Sequence, residues 1–493
     1  MRHRSKRHSK HRPAGRFDPV GLFHHDGIAL RPLITTLLLL LLAAKTAAIV
    51  ARGPVSIEMD AAQYWRLSAS VMSGDLLLMG DRIAFRTPGY PWFLASIRSA
   101  AGADALFWTA AIQGILSLLS TWIAARLSVR ITRLPRALPI TLLVSLPCVS
   151  ALVFNAAILS ETLFVFLLMM NLSAVQRYVD RESVGSTIWL GVTFALTLLT
   201  RPIVLLLWIP HVMFIALIHW RRSRLRHRQH NPRIALQRVS HSARLMHLLI
   251  IGAVVLSSVS PWLIRNQVMF GKPFLTEFVG RNLWIVTFQD GSCAGLPIPN
   301  TDAGQTLTRR LDRVGVTDDR ELTWTVSGGL IKSGLSDPQA DQLMKRVAID
   351  AIRQAPTDFV VPTLSRVLNF WRTRATELPQ QGNRGQFFGQ HVWQYDLPLI
   401  DQLVRFRASN ILWANTLMMF VIAAGIVVLV VHSPTRPAGI WILLMMAYFS
   451  VITGVFEIPA YRYRMVIEPL SACVIGSAAA ILLSKRTKPA IRA

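Results

Sequence analysis

Apolar runs punctuate this chain, most of them about 18 to 23 residues long, the length a helix needs to cross a hydrocarbon core of roughly 30 Å. In lipid every backbone N–H and C=O must be satisfied within the protein, so such runs fold as helices. Read in order, they fall at 33–50, 105–127, 137–154, 157–175, 186–199, 203–219, 245–264, 410–431, 438–456 and 465–483. The expectation is an all-α polytopic membrane protein with about ten transmembrane helices. Composition agrees: only 16% of the 493 residues are charged, against roughly 25% in a soluble domain, and 52% are hydrophobic.

The formal net charge is +27, but the basic residues are not spread as a nucleic-acid binder would carry them. They cluster beside the apolar runs: Arg126 to Arg136, Arg177 and Arg181, Arg221 to Arg244, and Lys485 to Arg492, together with the N-terminal tail. Basic loops stay on the cytoplasmic side, so with ten spans both termini face the cytoplasm and no nucleic-acid partner is expected. The expected organisation is a basic cytoplasmic tail at 1–32 and a transmembrane module at 33–264 containing a first outer loop at 51–103. A soluble outer region at 265–408, C-terminal transmembrane helices at 409–484 and a cytoplasmic tail at 485–493 follow. The tail Arg2 to Arg16 is too long and too charged for the n-region of a signal peptide. The three cysteines, Cys148, Cys293 and Cys473, show neither paired nor metal-ligand spacing.

Within the first outer loop, 61–72 and 90–99 read as amphipathic helices lying along the membrane surface. In the soluble region, Asp337 and Pro338 read as the N-cap and first residue of a helix running to Gln354, with apolar positions three to four residues apart. A second helix is expected over 359–373. The stretch 291–335 carries no legible signal.

This topology gathers the chemically interesting side chains on one face. Glu58, Asp60, Asp75, Asp81 and Arg86 come from the first loop, and Glu161 from the outer end of the fourth span. Arg201 lies between the fifth and sixth spans, Arg265, Asn266 and Glu277 follow the seventh, and Glu457, Arg462 and Arg464 link the last two. Charges near a bilayer are costly unless paired or hydrated, and they mark function. Arginines at headgroup depth hold a phosphate bidentately, and a carboxylate takes the proton from an attacking hydroxyl. Asp60 with Arg86, Arg462 and Arg464 meets those needs. Each residue also has a plain reading. Asp60 caps a helix beginning at Ala61, Glu161 faces a helix N-terminus, Arg201 snorkels before Pro202, and the Tyr461-to-Arg464 run anchors an interface.

At these residues the chain resembles the GT-C superfamily of integral-membrane glycosyltransferases, and within it the bacterial members of glycosyltransferase family 39. These are relatives of the protein O-mannosyltransferases and of the lipid A aminoarabinose transferase. The matching pieces are Asp60-Ala61-Ala62-Gln63-Tyr64, Arg86-Thr87-Pro88-Gly89-Tyr90-Pro91, Leu159-Ser160-Glu161-Thr162-Leu163-Phe164 and Thr200-Arg201-Pro202. Further on come Pro261-Trp262-Leu263-Ile264-Arg265-Asn266, Gly280-Arg281-Asn282-Leu283-Trp284 and Ala460-Tyr461-Arg462-Tyr463-Arg464. Their order along the chain is the specific part of the likeness.

The resemblance implies a GT-C-like bundle that moves a hexose or pentose from a polyprenyl-phosphate donor to a hydroxyl acceptor. The reaction would occur at the outer face of the cytoplasmic (inner) membrane, with inversion at the anomeric carbon. Asp60 would be the catalytic base, Arg86 would contact the lipid phosphate, and Arg462 or Arg464 would assist. Glu58, Tyr64, Tyr90, Glu161, Arg201, Arg265 and Asn266 would line the cavity. The partners implied are a membrane lipid donor and an envelope glycan, lipid or protein acceptor. No tightly bound cofactor is implied. Some GT-C enzymes use a divalent metal, but no His and carboxylate ligand set is visible here, so no metal site is expected. The chain departs from the family in its acidic pair, since Asp60 is followed by Ala61 and the second acid, Glu58, precedes it. The reading from another class is a transporter or flippase of lipid-linked sugars. It calls for repeats and midplane polar groups; no clear repeat is found and the charges gather at one face, with Glu468, just inside the last span, the best candidate for mid-membrane depth.

Overall fold

The computed structural model describes residues 27–52, 57, 59–146, 155–229, 241–289, 294–372, 411–458 and 461–486, and every regular element among them is a helix. Helices α1 (Gly27–Arg52) and α2 (Met59–Met72) are followed by a turn-rich segment, 73–88. Helix α3 (Gly89–Ala101) then runs through a 3-10 turn into α4 (Ala105–Thr132). Next come α5 (Ala137–Ser145), α6 (Glu161–Asp180), α7 (Val184–Thr200), α8 (Trp208–Gln229) and α9 (His241–Phe270). Five helices follow: α10 (Val279–Phe288), α11 (Asp302–Arg313), α12 (Thr323–Lys332), α13 (Asp337–Gln354) and α14 (Pro356–Trp371). The chain closes with α15 (Ile411–Val431), α16 (Arg436–Phe456), the single turn α17 (Tyr461–Arg464) and α18 (Glu468–Arg486).

Among the described residues, eight helical stretches are long and apolar enough to cross a membrane. They are Leu30–Ala47, Gly89–Thr132, Glu161–Asp180, Pro202–Arg224, Ser242–Phe270, Trp413–Val431, Arg436–Phe456 and Arg462–Ser484. The ten expected spans differ from these at two places. Helix α7 has 17 residues, about 26 Å at 1.5 Å per residue, which is shorter than the hydrocarbon core. Helix α5 accounts for Ala137–Ser145 of the expected third span, and 147–154 lie outside the described residues. The crossing helices turn apolar side chains outward: Trp413 is 79% exposed and Phe420 63%. Such surface is unfavourable in water and costs nothing against acyl chains.

The inner faces pack around Phe164, Met169, Leu172, Met445, Phe449 and Leu470. Close approach is made possible by glycine. A Cβ on Gly476 would stand 2.1 Å from the Thr141 hydroxyl, so α18 rests directly on α5. Helices α10 to α14 enclose a second core around Trp284, Leu307, Leu311, Leu330, Met344 and Val347. Helix α13 spans the expected residues, but its N-cap is Ser336, one residue earlier than the sequence suggested. The Gln339 side chain accepts from the Ser336 N–H at 2.9 Å, while the Asp337 carboxylate is taken up by other partners. Helix α14 starts three residues before the expected 359, with Pro356 in its first turn, where a missing N–H costs nothing. The basic tails 1–26 and 487–493, the loop 230–240, residues 373–410, and Cys148 and Cys293 lie outside the described residues.

Candidate active site

The segment 73–88 brings Arg86 back to the start of α2, and its shape is imposed by side chains. The Asp75 carboxylate accepts from the N–H groups of Met79 and Gly80 at 2.7 and 2.8 Å, closing a tight turn. Leu78 is held in the left-handed region at φ 54°, a conformation non-glycine residues rarely adopt. Arg265 on α9 secures it. Its guanidinium donates to the carbonyls of Leu78 (2.8 Å), Ile83 (3.1 Å) and Asp81, and to Asn266 Oδ1 (2.7 Å). Asn266 in turn donates to the Phe274 carbonyl at 2.6 Å, and Trp262 to that of Leu275 at 2.9 Å. Farther along, Ala84 N–H donates to Asp337 at 2.7 Å, and Thr87 donates to the Thr200 carbonyl at 3.2 Å.

Arg265→Ala takes a donor from three carbonyls. Those of Leu78 and Asp81 keep backbone N–H donors, from Asp81 at 3.2 Å and Ile83 at 2.8 Å, while that of Ile83 loses its Arg265 donor, and a buried orphan costs about 1–3 kcal/mol. The expected outcome is faster proteolysis within 73–88, with the helical circular dichroism of the bundle retained. Equal proteolysis of wild type and variant would show that the loop holds its shape without Arg265.

The returned loop completes a charged cluster. Arg86 Nη2 lies 2.5 Å from Asp60 Oδ1, and Arg462 Nη1 lies 3.0 Å from Asp60 Oδ2. One carboxylate is thus gripped by two guanidiniums, one 26 and the other 402 positions away from it in the chain. Arg86 also donates to Gln63 Oε1 (2.7 Å) and to the Tyr64 hydroxyl (3.2 Å), and it sits 4.7 Å above the Tyr64 ring. Behind this pair, Glu161 is buried at the N-terminus of α6. Its Oε1 is 3.0 Å from Arg201 Nη1 and 3.8 Å from Arg462 Nε. Arg462 Nη2 donates to the Tyr463 hydroxyl at 2.9 Å.

Asp60, Arg86, Arg201, Glu457 and Arg462 line one cavity of ≈ 640 Å³, whose remaining wall is largely apolar and includes Leu159, Ile203, Leu275 and Phe456. Burial alone would push the Asp60 carboxyl upward. The Arg86 and Arg462 charges and hydrogen bonds outweigh it and hold Asp60 well below the usual carboxylate range. Burial pushes Glu457 up, with Arg462, Tyr463 and Arg201 opposing.

Of the side chains picked out in the sequence, Asp60, Tyr64, Arg86, Arg201 and Arg462 line this cavity. Glu161 stands one layer behind, reaching it through Arg201 and Arg462. Tyr90 is fully buried, donates to Gln113 at 3.0 Å and packs edge-on against Tyr64 at 4.8 Å. Arg265 and Asn266 fasten the loop and do not line the cavity; their side chains are spent on the carbonyls of Leu78, Ile83 and Phe274. Arg464 is buried and away from the lining. Glu58 lies outside the described residues. The cavity also recruits Phe85, Thr276, Phe278, Asn282 and Trp324, which the sequence did not single out. Among the described residues no three His, Cys, Asp or Glu side chains converge as a metal-binding group.

Two solved structures are similar to this chain. One is an archaeal oligosaccharyltransferase, AglB from Archaeoglobus fulgidus, in complex with an inhibitory peptide and a dolichol-phosphate. It shows a TM-score of 0.44 and 12% identity over 93% of this chain and 52% of that one. The other is ArnT from Cupriavidus metallidurans bound to undecaprenyl phosphate, with a TM-score of 0.35 and 12% identity over 91% of this chain and 78% of that one. This chain spans about half the length of the oligosaccharyltransferase it matches. No protein-family model matches the chain, and no curated protein does.

Proposed function

We propose that the protein is a membrane glycosyltransferase that moves a sugar from a polyprenyl-phosphate donor to a hydroxyl acceptor, with inversion. The observation that carries this reading is Asp60 held between Arg86 and Arg462 on the wall of a cavity that joins polar and apolar surface. The ordered motifs shared with the GT-C family support it. On this reading the cavity faces the outer side of the cytoplasmic membrane and both termini are cytoplasmic, which the clustering of basic residues beside the apolar runs supports.

The chemistry follows from the electrostatics. With the cavity free, two arginines neutralise Asp60, which makes it a weak base. A donor phosphate entering the cavity competes for Arg86 and Arg462 and forms charge-assisted hydrogen bonds with them. As the guanidiniums turn to the phosphate, Asp60 regains basicity. It takes the proton of the acceptor hydroxyl, whose oxygen forms the new bond to the anomeric carbon. The bond from that carbon to the phosphate oxygen breaks, and the polyprenyl phosphate leaves as an anion that the arginines already hold. A phosphate leaves without protonation, so the site needs a base and cations more than an acid. Glu161, paired to both Arg201 and Arg462, orients the cations.

The test is sugar transfer in proteoliposomes supplied with radiolabelled undecaprenyl-phospho-sugars and a crude envelope acceptor fraction. Label is expected to leave the lipid for the acceptor, with undecaprenyl phosphate released in equal amount. Labelled lipid crossing the bilayer without being consumed would replace this reading with transport.

A further inference from the structure

One wall of the cavity is built from three aromatic rings, of which Phe85 also meets the charged cluster through Arg86. Phe85 and Phe278 stack with centroids 5.4 Å apart at 24°. Trp324 completes the group at 5.5 Å from Phe85 and 6.1 Å from Phe278. All three line the cavity, and Trp324 is 54% exposed. The group is rigidly backed: the Arg281 guanidinium lies 5.2 Å from the Phe85 ring and 5.9 Å from Trp324, and it is itself fully buried against Asp337. Beside the rings, Asn282 and Thr276 also line the cavity. Asn282 Oδ1 and Thr276 Oγ1 are buried without a hydrogen-bond partner in the protein.

We infer that this aromatic shelf, with Asn282 and Thr276, is a pyranose-binding subsite. The inference rests on the glycosyltransferase reading and adds to it the place of a sugar ring. A pyranose presents a face of C–H bonds and a rim of hydroxyls. The C–H face suits the electron-rich face of an aromatic ring, and the hydroxyls suit polar atoms that lack partners. Both kinds of group meet here. Protein groups alone leave Asn282 Oδ1 and Thr276 Oγ1 unmatched and about half of Trp324 exposed, an arrangement that a ligand relieves. The location is right for the chemistry as well. Phe85 precedes Arg86, whose guanidinium lies 5.3 Å from the Phe85 ring and 2.5 Å from Asp60. A ring on the shelf therefore lies next to the base and the phosphate cations. That ring is either the donor's sugar or the acceptor's.

The experiment measures binding to the full-length protein in nanodiscs, for wild type, Trp324→Ala and Trp324→Phe. The probes are undecaprenyl phosphate, undecaprenyl-phospho-mannose, -glucose and -galactose, and soluble methyl pyranosides added with saturating undecaprenyl phosphate. If the shelf takes the donor sugar, Trp324→Ala weakens the preferred lipid-linked sugar about tenfold, the scale of losing a buried aromatic anchor. Sugar-free undecaprenyl phosphate keeps its affinity, and Trp324→Phe restores most of the loss. If the shelf takes the acceptor, lipid affinities hold and methyl pyranoside binding falls by a similar factor. Unchanged affinities throughout, or an equal loss for sugar-free and sugar-bearing lipid, overturn the subsite. Wild type that binds no undecaprenyl phosphate but binds methyl pyranosides through Trp324 would sink the donor reading and leave the subsite standing.

Discussion

Asp60→Asn is expected to lower sugar transfer by about 10²- to 10⁴-fold, the usual worth of a positioned base. The same substitution should tighten binding of sugar-free undecaprenyl phosphate. The reason is the geometry: the carboxylate occupies Arg86 at 2.5 Å and Arg462 at 3.0 Å, the two groups proposed to hold the phosphate. Asparagine keeps the shape and removes the charge, so the arginines turn to phosphate at less cost. Initial rates in proteoliposomes and a binding isotherm on the same preparation check both halves. Transfer at the wild-type rate would move the base elsewhere, with Glu161 the next to substitute. Loss of phosphate binding together with transfer would mean that Asp60 holds the arginines in place and does not compete for them.

The pairing also fixes a sign in the pH profile. In the free protein the two arginines hold Asp60 well below the usual carboxylate range. In the proposed donor complex those arginines would be shared with the phosphate, and the carboxyl would move back up toward its ordinary value. The free enzyme governs kcat/KM, and the bound complex governs kcat. The acid limb of kcat should therefore lie at higher pH than the acid limb of kcat/KM. Coincident limbs would show that the arginines do not exchange partners on binding.

How much of this was legible in the sequence depends on the kind of interaction. Long apolar runs and the three-to-four spacing of Leu343, Val347 and Ala351 report helices directly, because burial on one face is a local pattern. Helix α13 accordingly spans Asp337–Gln354 as read from the sequence. Its cap was displaced by one residue because the Asp337 carboxylate serves Ala84 and Arg281, partners 253 and 56 positions away. Asp60, Arg86 and Arg462 stood out because charge beside a bilayer is conspicuous. Arg265 looked equally conspicuous, yet it bonds carbonyls of the 78–83 turn, and no sequence pattern shows which backbone acceptors a guanidinium finds. Trp324 sat in a stretch without periodicity, and only the packing of α12 beside α10 brings it to the cavity. Phe278 lay beside, and Asn282 within, the motif Gly280-Arg281-Asn282-Leu283-Trp284, and nothing distinguished them as wall residues.

Arg281→Ala is expected to be the most destabilising single change outside the transmembrane core. Arg281 has no exposed surface, and it joins Asp337 at 2.5 Å, Asp341 at 3.5 Å and the Ser327 hydroxyl at 2.9 Å. Asp341 also accepts the N–H groups of Gly280 and Arg281, each at 2.9 Å. Helices α10, α12 and α13 and the loop carrying Arg86 meet at this cluster. Removing the cation strands two carboxylates, at a cost of about 3–5 kcal/mol against a typical stability of about 5–15. Arg281→Lys should recover only part of it, since one ammonium cannot span acceptors arranged for a planar fork. Burial already pushes the Asp341 carboxyl up, opposed by hydrogen bonding from the Arg281 backbone and by the guanidinium charge. Without the guanidinium it rises further. A carboxyl whose folded pKa lies above its unfolded value supports the fold at low pH, and that support is lost as pH climbs through the folded value. The Arg281→Ala deficit in thermal unfolding, measured in nanodiscs, should therefore be larger at pH 8 than at pH 5. A deficit independent of pH would mean that lost packing against Phe85 and Trp324, and not the stranded charge, destabilises the variant.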